Sequence, residues 1–155
     1  MPSPPAPTVW AFPRSGFYGD CLYRPLERAG IRVREGDYSR AGLAAMRPGD
    51  VVHLHWPSHL YAQGPSRLDY AWHYARFEWW LGQVHRRGAR IFWTAHNLLP
   101  HEATPLPGVD RRARRMIIDA AEAIFVHGPT PERVLCEAFP SARGKCVQIP
   151  LGGFA

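Results

Sequence analysis

The sequence predicts an α/β domain: a Rossmann-like, doubly wound, mostly parallel sheet of about six strands flanked by helices. Three observations carry that prediction. Short apolar runs alternate strictly with longer segments of helical period from residue 8 onward. Turn formers punctuate the alternation, with Gly30 and Gly88 just past helix ends and Pro48-Gly49-Asp50 leading into a strand. The length of 155 residues, 46% of them hydrophobic, suits one compact domain with an ordinary core. Such alternation builds parallel β-α-β units joined by right-handed crossovers.

Taken in order, residues 1–7 are expected to form a disordered, proline-rich leader, because four prolines in positions 2–7 remove both amide donors and helical freedom. A single domain over 8–155 follows. Strands are expected near 8–12, 31–35, 50–55, 90–95, 123–127 and 146–149. Helices are expected near 18–29, 39–47, 69–87, 110–122 and 131–139, with Pro131 at a first helical position. In the third helix Tyr70, Tyr74, Phe77, Trp80, Leu81 and Val84 form one core stripe. Trp72 and Trp79 fall on the opposite face beside Arg76, Gln83 and Arg86. They are either covered by loops or present a membrane-interface or partner surface. In the fourth helix Ala113, Met116, Ile117 and Ala120 point inward, while Arg111, Arg112 and Arg115 face solvent with Asp119 and Glu122.

Composition narrows the function classes. Nineteen Lys and Arg against thirteen Asp and Glu give 19 − 13 = +6, which favours an anionic partner without choosing among phosphates, headgroups and nucleic acid. No nucleic-acid module signature accompanies the charge, so no nucleic-acid partner is expected. Cys21, Cys136 and Cys146 are odd in number and lack C-x-x-C spacing, as expected of reduced thiols in a cytoplasmic protein. No run approaches the roughly 18 apolar residues of a spanning helix, and the first residues have no apolar signal core.

In an open parallel sheet, ligands bind beyond the carboxyl ends of the strands. Four segments lie there: Phe12 to Asp20, His53 to Pro57, Thr94 to Glu102, and Val126 to Pro129. The first carries two glycines before a helix, able to expose backbone N–H groups, but it is neither G-x-G-x-x-G nor a P-loop. His53 and His55 share one strand face and, with His96, His101 and Glu102, offer metal-ligand chemistry. The zincin spacings are absent, so no metal site is assigned, and a His-rich metal-dependent hydrolase stands as a lesser alternative. Base catalysis by one imidazole or by Glu102 is the more economical use. No G-x-S-x-G elbow exists to place a nucleophilic serine.

Three segments carry a resemblance. Val51-Val52-His53-Leu54-His55-Trp56-Pro57 resembles the third-strand motif of bacterial GT-B glycosyltransferases that build exopolysaccharides and lipid-linked glycans. The stretch from Gly88 through Trp93-Thr94-Ala95-His96-Asn97-Leu98-Leu99-Pro100-His101-Glu102 is similar to their most specific segment. Asp119 to Gly128 is similar to the helix-to-strand unit that follows it. The resemblance spans nearly all of 8–150 and implies one half of a two-domain enzyme: the amino-terminal, acceptor-binding half, facing a donor half that holds a nucleotide-sugar.

What the resemblance implies for the site is specific. His96 lies at the cleft floor near the transferred sugar, and the loop from Arg14 to Gly19 lies near donor phosphates or acceptor. An acceptor hydroxyl attacks the anomeric carbon as the nucleotide diphosphate leaves; an inverting enzyme has His96, Glu102 or Asp20 as candidate bases, whereas a retaining one needs none from this domain. Arg14, Ser15, Gly16, Gly19, His53, His55, Trp56, Asn97, His101, His127 and Gly128 are the candidate substrate contacts. No tightly bound cofactor is expected; the nucleotide-sugar is a co-substrate of the complete enzyme. Expected partners are a carboxyl-terminal donor domain or partner chain, a glycan or lipid-linked acceptor, and an anionic membrane on the cytoplasmic side. Ile149-Pro150-Leu151-Gly152-Gly153 departs from the family's I-P-H-G, lacking the histidine that introduces the interdomain linker. With the donor half outside this chain, the isolated polypeptide is expected to be inactive, and a noncatalytic binding or assembly subunit is the alternative.

Overall fold

A computed structural model describes residues 6–98 and 106–150. Six strands are interleaved with helices: β1 (Thr8–Phe12), α1 (Phe17–Arg28), β2 (Arg32–Glu35), α2 (Arg40–Ala45), β3 (Val51–Leu54), α3 (Ser58–Tyr61), α4 (Arg67–Arg86), β4 (Arg90–Thr94), α5 (Pro107–Ala120), β5 (Ala123–Val126), α6 (Pro129–Ala138) and β6 (Cys146–Gln148). The sheet order is β2-β1-β3-β4-β5-β6 and every pairing is parallel. The predicted α/β class and parallel sheet are therefore observed.

Differences from the sequence reading have local causes. Helix α4 starts at Arg67 because Ser66 builds a capping box: its hydroxyl accepts from the Asp69 amide at 3.1 Å and the Asp69 carboxylate accepts from the Ser66 amide at 3.2 Å. Helix α6 starts at Pro129, which places Pro131 at its third position rather than its first, after Gly128 turns the chain at φ 106°. The short helix α3 was not anticipated. Gly30 and Gly88, at φ 84° and 72°, do close helices in the left-handed region as expected.

The two faces of the sheet are unequally covered. Trp10, Phe12, Val52, Leu54, Ile91, Trp93, Ile124 and Val126 point to one face and form a single core with Leu43 of α2, Phe77, Trp80 and Leu81 of α4, Ile117 and Ile118 of α5, and Leu135 of α6. Helix α1 packs on the other face through Gly19 and Tyr23. That division follows from right-handed crossovers: β1 to β2 runs one way along the sheet, and every later connection runs the other. The expected α4 stripe is buried except for half-buried Tyr74. In α5 the inward set also includes Arg114, 3% exposed, whose Nε donates to the Leu98 carbonyl and whose guanidinium lies 4.7 Å from the Trp93 ring centroid.

Asp50 fixes the amino-terminal edge. Its buried carboxylate accepts from the Thr8 amide, the Trp10 indole and the Arg47 amide at 2.9, 3.0 and 3.0 Å. Burial works to raise this carboxyl, and the three hydrogen bonds outweigh it, holding it below its ordinary range.

Candidate functional site

The strand order reverses direction at β1 and β3, so the connections leaving their carboxyl ends diverge and open a crevice there. Strand β3 delivers His53 and, one residue past its end, His55 with Trp56. Strand β4 ends at Thr94, with His96 two residues on, and β5 leads to His127. Helix α1 crosses this rim and contributes Tyr18 and Tyr23. The period of two puts His53 and His55 on the α1 face, and the His53–Phe92 and Thr94–Phe125 registers put Thr94 on it too.

These side chains form one continuous network. The Tyr23 hydroxyl lies 2.8 Å from His53 Nδ1 and 2.6 Å from His55 Nε2. His53 Nε2 is 2.8 Å from the Thr94 hydroxyl, and His55 Nδ1 is 3.3 Å from His96 Nε2. His96 stacks on Trp56, with ring centroids 4.5 Å apart and planes 13° from parallel. Tyr18 meets the edge of His96 at 4.7 Å and places its hydroxyl 3.2 Å from His127 Nε2. Burial falls outward along the network: His53, His55, Tyr23 and Thr94 are buried, whereas His96, Tyr18, Trp56 and His127 are partly open.

The electrostatics follow that gradient. Burial, with a smaller push from His96, lowers His53 to about 3. His55 is also driven far down, first by burial and then by His53, His96 and His127. His96 falls to about 4, from burial and then from His127. Burial raises Tyr18, against an opposing hydrogen bond from Thr94, and holds Tyr23 firmly protonated. His53, His55 and His96 are thus neutral rings at neutral pH, and His96, the partly open one of the three, is able to take a proton. Among the described residues no three His, Cys, Asp or Glu side chains are placed to share a metal ion. The ring nitrogens of His53 and the inner nitrogens of His55 are already spent on hydrogen bonds within the cluster.

The structure brings His53, His55, Trp56, His96 and His127 together. Gly128 joins them at the amino end of α6, beside a groove of about 210 Å³ that it shares with His127, Gln148, Ile149 and Pro150. Half-buried Asn97 follows His96. His101 and the candidate base Glu102 lie outside the described residues.

In the first loop the two amides ahead of the glycine turn are already taken. The Arg14 and Ser15 amides donate to the two carboxylate oxygens of Glu35 at 3.1 and 3.0 Å. The Arg14 guanidinium is held by Glu27 at 2.9 and 3.0 Å and approaches Asp20 at 3.5 Å, while Asp20 also meets Arg24 at 3.4 Å. Arg14 and Asp20 are therefore engaged with each other and with neighbours, and neither is in the histidine network. Gly16 supplies the left-handed turn into α1 at φ 102°. Gly19 has a packing reason: a Cβ there would sit 2.0 Å from the Arg14 carbonyl oxygen.

Tyr18, Tyr23 and Thr94 were not singled out as site residues by sequence. The available signal was α1 itself, where Gly19 and Tyr23, four apart, are its two buried residues.

No protein-family model and no curated protein matches the chain. Among solved structures it is similar to an aromatic-amino-acid aminotransferase from Burkholderia pseudomallei, solved covalently bound to pyridoxal phosphate, at 16% identity and a TM-score of 0.49. The match covers 91% of this chain and 41% of that one, so the chain spans less than half of that enzyme. A likeness at this level bears on no chemistry, and the fold rests on the strand order and pairing given above.

Proposed function

We propose that the chain is the acceptor-binding half of a GT-B glycosyltransferase that moves a sugar from a nucleotide-sugar to a glycan or lipid-linked acceptor. The observation that carries this reading is His96: a neutral, partly open imidazole past β4, held by Trp56 and His55 beside the reversal point of the sheet, inside the segment that most resembles the family. Stacking on Trp56 and the hydrogen bond to His55 fix its ring, as a general base requires. In the reaction an acceptor oxygen bonds to the anomeric carbon and gives its proton to His96, while the nucleotide diphosphate leaves with the electrons of the broken bond. The anionic diphosphate raises His96 from about 4 toward its ordinary range, which strengthens the base once both substrates are bound.

A second observation supports a partner. Parallel sheets are covered on both faces. Yet on the α1 side of β4 to β6 half-buried Phe92 and Phe125 and exposed Val147 lie under no helix among the described residues. Donor half and acceptor half then complete one another. The exposed Trp72 and Trp79, beside Arg76, suit an anionic membrane on the cytoplasmic side, and no helix among the described residues is long and apolar enough to cross one.

The test is reconstitution: the chain mixed or co-expressed with a carboxyl-terminal donor domain and offered a panel of nucleotide-sugars and acceptors. Turnover is expected only in the mixture, and His96→Ala should lower it by about 10²- to 10⁴-fold. Absence of turnover in every mixture, with both halves folded, overturns the transferase reading in favour of a noncatalytic binding subunit.

A further inference from the structure

Tyr23 stands between the two most buried histidines with one proton to donate. Its hydroxyl is within hydrogen-bond distance of both His53 Nδ1 and His55 Nε2, so it can donate to one and must accept an N–H from the other. The choice propagates. When Tyr23 donates to His53, His53 carries its own proton on Nε2 and donates to the Thr94 hydroxyl. His55 then donates from Nε2 to the Tyr23 oxygen, leaving its Nδ1 as the acceptor for His96 Nε2–H. When Tyr23 donates to His55 instead, every ring reverses, and His96 must accept at Nε2 and carry its proton on Nδ1.

We propose that the Tyr23 hydroxyl couples the tautomers of His53, His55 and His96 and holds His96 as the Nε2–H form with Nδ1 free, making Tyr23 a positioning residue for His96. Two features select this arrangement over its reverse. It gives all three rings the Nε2–H tautomer, the intrinsically favoured form of neutral imidazole, whereas the reverse gives all three the disfavoured one. It also accommodates a proton arriving at His96: the imidazolium formed at Nδ1 already donates its Nε2–H to His55, so no ring or hydroxyl has to turn. In the reversed set the free nitrogen of His96 is occupied by hydrogen, and the ring cannot accept a proton without breaking its bond to His55. The buried rings of His53 and His55 orient the system without holding charge.

The inference rests on His96 being the group that meets the acceptor, and its test does not need turnover. In the chain labelled with ¹⁵N-histidine, long-range ¹H–¹⁵N spectra at neutral pH report which nitrogen of each ring carries hydrogen, with His96→Gln assigning the His96 signals. The expected wild-type pattern is an unprotonated, downfield Nδ1 and a protonated Nε2 for His96. Tyr23→Phe leaves His55 Nε2 facing a ring edge, so His55 moves its proton to Nδ1, where His96 is its partner. The downfield nitrogen of His96 should then move from Nδ1 to Nε2. Thr94→Val removes the acceptor for His53 Nε2–H and should drive the same reversal from the far end, and it carries the test if Tyr23→Phe does not fold. A wild-type His96 protonated on Nδ1, or a His96 tautomer unmoved in the folded variants, overturns the coupling. The tautomer reversal observed alongside a reconstituted mixture without turnover leaves the coupling standing and removes the transferase reading. An unmoved tautomer alongside turnover that depends on His96 does the opposite.

Discussion

Acidification to pH 5 should destabilise this domain well before its carboxylates titrate, because His53 and His55 are buried as neutral rings. Both folded-state values lie below the ordinary 6.5, so between those limits the unfolded chain binds more protons than the folded one. Stability is therefore complete above about pH 6.5 and falls as pH drops, until the folded His53 ring itself protonates near pH 3, with His55 lower still. From pH 6.5 to 5 each ring loses about 2 kcal/mol, since a pKa unit corresponds to about 1.4 kcal/mol. The two together lose about 4 kcal/mol, a large part of the roughly 5–15 kcal/mol typical of a domain. With a urea slope of about 2 kcal/mol per molar, the denaturation midpoint should fall by about 2 M between pH 7 and pH 5. Asp50 adds little, because its hydrogen bonds hold it ionised in the fold throughout that window. His53→Gln keeps hydrogen-bonding capacity without a titrating ring and should remove roughly a third to a half of the pH dependence, because partly open His96, lowered to about 4, adds a solvent-screened share of its own. A wild-type midpoint at pH 5 within about 0.5 M of that at pH 7, at the same slope, would refute the assignment of buried neutral histidines.

Two further perturbations separate packing from surface. Gly19→Ala places a methyl 2.0 Å from the Arg14 carbonyl oxygen and should cost about 3 kcal/mol in urea melts, whereas Gly82→Ala meets nothing within 4 Å inside a helix and should gain about 1 kcal/mol. Equal effects at the two sites would remove the close approach of α1 to the first loop. Trp72 and Trp79 are 61% and 47% exposed, so Trp72→Ser with Trp79→Ser should leave melting nearly unchanged while lowering co-sedimentation with anionic vesicles. Undiminished vesicle binding assigns these side chains to a protein partner instead.

The fold was legible because its signals are local and repeated. A buried strand needs a short apolar run, a covering helix needs a 3.6-residue stripe, and Val51–Leu54 and Phe77 to Val84 each satisfied those needs within their own segments. The rim was legible for the same reason, since residues just past a strand end have only one place to go: His55, His96 and His127 converge as the alternation implied. Residues whose role is set by a partner distant in sequence were not legible. Arg14 and Ser15 looked like an open anion site until Glu35, from the next strand, took their amides. Tyr23 drew no notice in the sequence, because its polar tip acquires meaning only against two rings 30 and 32 residues away. Arg114 sat in a run of outward arginines, and its burial depends on the Trp93 face and the Leu98 carbonyl.

The uneven covering of the sheet among the described residues bears on the site. His53 is an inner member of the network, and its ring also packs edge-on against Phe125, with centroids 5.5 Å apart. Phe125 in turn meets Phe92 at 5.8 Å, on the part of the face that no described helix covers. A partner laid over Phe92 and Phe125 would thus exclude water from the outer wall of the histidine network while leaving the Trp56–His96 stack on the rim untouched. Tighter burial there disfavours charge on His53 still further and so favours His96 over His53 as the ring that takes a proton. Completion of the sheet and direction of the proton are then linked through one phenylalanine, without any new group entering the site.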